Sequence, residues 1–299
     1  MMRGCLRPAW PRSHAFRNGA LLVAFVGPWI ASCGELGFLP IQEKAGLIGV
    51  PLGKVAVVTS DYDRVEETLA AFDIDFELYD GFISGPPPDA LLIEDYADIP
   101  LGVESLLQTP ELLETYDVLW INCGVRGSGG VDPETLEASD QLLSDPAVAS
   151  NLAAFVRNGG RLVVEDWSYG LLEAAFPDAL DFYGQDEKSG DAEVGAISRV
   201  EAAVVDPGLE KALGVDVLEV AFPVSAWTVV REAGEAEGVW LEADVPIEDG
   251  DPSSITAPLV IQQSVGYGTL TFLSIHTQQS TTEVWLDFMV HLLRSLAKE

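Results

Sequence analysis

Three residues have side chains suited to covalent or proton-transfer chemistry and sit where short apolar runs end: Cys123, Asp166 and His276. A thiol beside an imidazole forms a thiolate near neutral pH, so Cys123 with His276 as base would make a nucleophile. A lone cysteine closing an apolar run is also a common small buried hydrophobe, and Cys123 fits that description equally. Asp166 and Glu165 offer acid and base roles. Neighbours on a strand point to opposite faces, so those two are not expected to serve one site. Asp166 also suits the cap of the helix that follows it.

Metal chemistry has weaker sequence support. After residue 33 the histidines are His276 and His291, and no His-Glu-x-x-His or paired-cysteine spacing occurs. The acidic run 248–252 lacks the twelve-residue spacing of a calcium loop. The glycines 124, 127, 129 and 130 lack the order of a dinucleotide or phosphate loop. The expectation is no metal and no cofactor.

Positioning these residues requires a sheet. Residues 54–59, 117–124 and 161–165 are short apolar runs of the kind buried on both faces, and 74–79 alternates. Ser60 or Asp61 can cap a helix whose stripe is Val65, Leu69 and Phe72, which makes a βαβ opening and a parallel sheet. A helix is expected between Pro133 and Arg157, another over 171–176, and a closing one over 282–298. Residues 81–110, with three consecutive prolines, read as an excursion, and 181–198 as an acidic loop. Later runs at 199–205, 215–222, 227–231 and 239–243 form a β-rich insertion, and 259–265 and 269–275 flank the hairpin signal Gly266-Tyr267-Gly268. The expected fold is α/β: a mostly parallel central sheet flanked by helices, in three layers, spanning 54–299. In such a sheet ligands meet the carboxyl ends of the strands. Those ends carry Asp61, Cys123 with Gly124, Asp166 with Trp167, and His276 with Gln278. Of these, Asp61, Gly124, Trp167 and Gln278 are the candidate ligand-binding residues, with Trp167 able to stack on a sugar or ring.

Charge narrows the partners. The chain has 299 residues and a formal charge of −32, which removes any driving force toward nucleic acid or polybasic docking on a membrane. Hydrophobic residues make up 48%, too many for a disordered acidic tail. Four arginines and no acid precede the apolar run Ala20 to Ala31, the layout of a secretory signal. That run is about half the roughly 20 residues a spanning helix needs. Residues 34–53 have no period and read as a tether.

Ile30-Ala31-Ser32-Cys33 resembles a bacterial lipobox. The resemblance implies a signal peptide over 1–33, cleavage before Cys33, and diacylglycerol on that thiol. The membrane is then the partner of the mature N-terminus, facing the periplasm. Gly34, where an Asp would resemble an inner-membrane retention signal, favours the outer membrane. Cleavage takes the formal charge from −32 to −36 and leaves Cys123 as the free thiol.

The order strand, helix, strand, then YDVLWINCG, FVRNGGRLVVEDW and GYGTLTFLSIHTQ before a last helix resembles the class I glutamine amidotransferase-like superfamily, including its ThuA-like branch. In its catalytic members the nucleophilic cysteine sits on the turn after the strand matching Leu162 to Glu165. Here that turn holds Glu165, Asp166 and Trp167. The family's His-x-Glu matches His276-Thr277-Gln278, with an amide in place of the carboxylate. The resemblance therefore implies the fold and argues against the amidotransferase reaction. It favours a lipid-anchored envelope protein that binds a ligand or acts as a scaffold, with an envelope protein as a possible partner. The alternative is a hydrolase on a small envelope or carbohydrate substrate through Cys123 or Asp166 with His276.

Overall fold

The structure is a computed structural model that describes residues 51–60, 63–81, 101–125, 142, 145–183, 192–234, 238–248, 253–277 and 282–297. The chain divides into Met1–Glu35 and Leu36–Glu299, and every described residue belongs to the second unit. Cys33, Asp61, Gln278 and the glycines at 127, 129 and 130 lie outside the described residues.

Short apolar runs form the first strands, fully buried in the first and third and partly so in the second and fourth. They are β1 (Val55–Val58), β2 (Phe76–Tyr79), β3 (Val118–Ile121) and β4 (Arg161–Glu165). Alternation sends successive side chains into two cores: Val55 and Val57 pack on one face, Ala56 and Val58 on the other. On the first face lie α1 (Val65–Ala71), α6 (Pro207–Leu213) and α7 (Glu283–Ser295). The second face is covered by α2 (Val103–Gln108), α3 (Pro110–Leu113), α4 (Pro146–Arg157) and α5 (Gly170–Ala175). Three layers result. In α4 the Asp145 side chain accepts from Ala147 N at 2.8 Å and Pro146 occupies the first turn, which fixes the start.

The expectation of a mostly parallel sheet is corrected. Nine strands run in the order β2-β1-β3-β4-β11-β10-β9-β6-β7. Strands β2 to β11 pair in parallel, and β11 (Gly268–Leu273) through β10 (Ser254–Val265), β9 (Val239–Pro246) and β6 (Ser198–Val204) to β7 (Val217–Phe222) pair antiparallel. The sheet is mixed. The late strands extend it instead of forming an insertion, because their alternating apolar faces continue the first core. A separate ribbon joins β5 (Leu180–Phe182) to β8 (Val230–Ala233), where the sequence suggested loop at 181 and a strand starting at 227. Asp181 takes part in it through two bonds to Arg231 at 2.6 and 2.7 Å.

The glycine hairpin forms as the sequence indicates. Gly266 has φ +63 at its first central position, and Val265 pairs with Gly268. A Cβ on Gly268 would sit 2.1 Å from Gly160 O and 2.2 Å from Val156 O, both backbone atoms that cannot step aside. Gly268→Ala is expected to lower unfolding free energy by about 2–3 kcal/mol, measured by urea denaturation. Tyr267→Ala, at a position 91% exposed, stays near wild type.

Candidate functional site

The carboxyl ends of β1, β3, β4 and β11 meet, as an open α/β sheet requires. The loop after β1 brings Asp63, whose backbone N–H donates to Ser60 Oγ at 3.3 Å. Cys123 and Gly124 (φ +91) follow β3, and the neighbouring Asn122 donates through Nδ2 to Glu66 of α1 at 3.0 Å. Glu165 ends β4, and Asp166 opens a 3-10 turn running to Tyr169. His276 lies beyond β11.

The sequence reasoning missed Asp63. Its carboxylate Oδ2 lies 2.6 Å from His276 Nδ1, and its side chain is almost wholly buried. The expected Asp61 lies outside the described residues, and it is Asp63 that orients the imidazole. Burial opposes the charge on His276, yet the bond and charge of Asp63, with Asp166 behind, raise its pKa to about 9. His276 is therefore an imidazolium at neutral pH, and 13% of its side chain reaches solvent.

Asp166 does not cap the following helix. Its Oδ1 accepts from Thr228 N at 2.6 Å and its Oδ2 from Cys123 Sγ at 3.6 Å. The backbone there has φ +38, a left-handed conformation held by the surrounding structure. This bend breaks strand alternation, so Glu165 and Asp166 both face Asp63, contrary to the expectation that they would part. Burial lifts the Asp166 pKa to about 6, opposed by the His276 charge and the bonds from Thr228. Burial, then the Asp63 charge, raises Glu165 well above the carboxylate range and keeps it protonated, while Trp120 Nε1 donates to its Oε1 at 2.9 Å.

Cys123 is 1% exposed. Burial and the charges of Asp166 and Asp63 push its thiol well up, so it stays an S–H donor to Asp166. No thiol–imidazole hydrogen bond forms. Ser168 closes the wall: its hydroxyl donates to Asn122 O at 2.7 Å and accepts from Val125 N at 3.2 Å. Trp167 is half-buried, with its indole N–H donating to Ala226 O at 2.5 Å. His291 stands apart, against the Trp240 ring at 5.1 Å and 3.9 Å from Asp206. A cavity of about 420 Å³ lined by Arg157, Asp178 and Gln263 lies at the opposite end of the parallel strands and contains none of these residues.

The structure thus brings together Cys123, Asp166 and His276, with Asp63 and Glu165. It can hold a proton, orient an imidazolium and exclude water.

No family model matches the sequence, and no curated protein matches it. Similar solved structures include a cytoplasmic protein from Salmonella typhimurium LT2, with TM-score 0.44 and 13% identity, covering 82% of this chain and 100% of that one. PurLQS from Thermotoga maritima gives TM-score 0.44 and 9% identity over 80% and 97%. A glutamine amidotransferase from Thermotoga maritima gives TM-score 0.41 and 11% identity over 82% and 96%. These likenesses assign no residue role to this chain.

Proposed function

We propose that this chain is a lipid-anchored envelope protein whose amidotransferase-like α/β domain binds a ligand or partner without transforming it. The observation that carries the reading is the bend after β4. Asp166 occupies it, fully buried, with both oxygens engaged by Thr228 and Cys123. A group so enclosed presents no free atom to a substrate carbonyl. The thiol beside it is protonated and buried, which removes the other nucleophile. Among the described residues of the site, the edge of the His276 imidazolium and part of Trp167 reach the surface, groups suited to an anionic and to a ring-bearing guest respectively. The lipid anchor rests on the resemblance at residues 30–33. Among the described residues no helix is long and apolar enough to cross a membrane.

The competing reading makes Cys123 or Asp166 a hydrolytic nucleophile with His276. Its requirement is a base that accepts the nucleophile's proton, whereas His276 already carries its own and faces Asp63. The purified full chain is expected to hydrolyse neither glutamine nor p-nitrophenyl acetate above the buffer rate. Turnover that disappears in His276→Ala would overturn the proposal. The anchor is tested separately: Cys33→Ala moves the protein from the membrane fraction to the soluble one.

A further inference from the structure

Donor atoms of three chemistries, from Asp63, Cys123 and His276, lie within 4.8 Å of one another. They come from three loops at one end of the sheet, after β1, β3 and β11. Two observations besides proximity mark the place. Oδ1 of Asp63 is buried with no N–H or hydroxyl donor among the described residues, and Asp63 and Glu165 are both wholly buried. The two side chains also touch each other. Acid groups in contact need a proton or a cation on the contact. Asp63 and Asp166 act on the single imidazole, with Glu165 against Asp63 and the Cys123 thiol against Asp166.

We propose that Asp63, Cys123 and His276 form a binding site for a divalent transition ion of the zinc class. The site goes beyond the functional reading above and stands or falls apart from it. Thiolate, imidazole and carboxylate together suit a borderline-soft ion, whereas calcium and magnesium take oxygen donors. Bonds of about 2.0–2.3 Å put tetrahedral donors roughly 3.3–3.8 Å apart. All donor pairs lie within 4.8 Å; reaching that spacing opens the 2.6 Å contact between Asp63 Oδ2 and His276 Nδ1 while any wider pair closes, by side-chain rotation. On binding, the thiol proton leaves to solvent as the sulfur–metal bond forms, and His276 coordinates as the neutral imidazole after losing its second proton. The charge of the ion offsets the repulsion a thiolate would meet from Asp166, 3.6 Å from the sulfur. No spacing motif announces such a set, because its members lie at 63, 123 and 276.

The test is cobalt titration of the chelator-treated full chain. One Co²⁺ per chain is expected, with a near-ultraviolet thiolate-to-cobalt band and visible bands of tetrahedral type, both removed by added Zn²⁺. Cys123→Ser, close in shape to the native side chain, loses the near-ultraviolet band. Asp63→Asn and His276→Ala bind Co²⁺ at least about tenfold more weakly. Absence of the band in the native chain at saturating Co²⁺ overturns the proposal. So does a band that survives Cys123→Ser, since it would then arise from Cys5 or Cys33. The cobalt readout is independent of the hydrolysis assay, so failure of either leaves the other interpretable.

Discussion

Asp63→Ala is expected to lower the unfolding free energy of the metal-free protein by about 3–5 kcal/mol, because it strips one partner from a buried charge pair. The pair is His276 Nδ1 with Asp63 Oδ2 at 2.6 Å. Its pH signature separates it from simple loss of packing. Burial alone would depress the imidazole, but Asp63 wins and holds the folded pKa at about 9, above the ordinary 6.5. A base whose folded pKa is raised contributes stability that is complete below its unfolded pKa and disappears as pH rises through its folded pKa. The wild type therefore holds an advantage of about 3 kcal/mol from this group below pH 6.5, and loses it as pH rises through about 9. Urea midpoints for both proteins from pH 6 to 10 read this directly. A gap unchanged at pH 10 would mean that Asp63 stabilises by packing alone. Asp63→Asn keeps the shape and separates charge from volume.

The opposite sign is expected at Glu165. Burial and then the Asp63 charge hold its carboxyl protonated in the fold, whereas the unfolded chain ionises it above about pH 4.5. An acid with a raised folded pKa costs nothing below the unfolded value and progressively more above it, by about 1.4 kcal/mol per pH unit. Glu165→Gln supplies a neutral isostere. Its carbonyl still accepts from Trp120 Nε1, and its amide can face Asp63 as the protonated acid does. In chelator-treated protein the variant matches wild type at pH 4 and exceeds it increasingly as pH rises toward neutrality. A variant less stable at every pH would mean that Glu165 is ionised in the fold and balanced by a cation.

The parallel half of the sheet was legible because three of its strands are buried on both faces and so carry continuous apolar runs at 55–58, 118–121 and 162–164. The hairpin was legible because its turn demands glycine. The antiparallel half was readable as strands but not as part of one sheet, since nothing local in residues 198–265 tells an extension from an insertion. The ribbon strand at 180–182 was hidden because its three residues are too short to show a period. At the site, strand ends pointed to Cys123, Asp166 and His276, and these do meet. Asp63 was out of reach: it sits in a polar loop whose carboxylates differ in role only through the fold. The joint service of Glu165 and Asp166 was also out of reach, because it depends on a positive φ that an aspartate tolerates without advertising.

Strand β11 is the seam between the two halves: Leu270 pairs with Leu162 on one side and Gln263 on the other. It is synthesised after every other described strand. Until residues 268–273 emerge, β4 has an open, apolar flank with no neighbour, and the order of manufacture is at odds with the order of assembly. Truncation after the second half of the sheet but before residue 268 would therefore leave an adhesive edge, and such fragments should clump instead of remaining as smaller folded pieces.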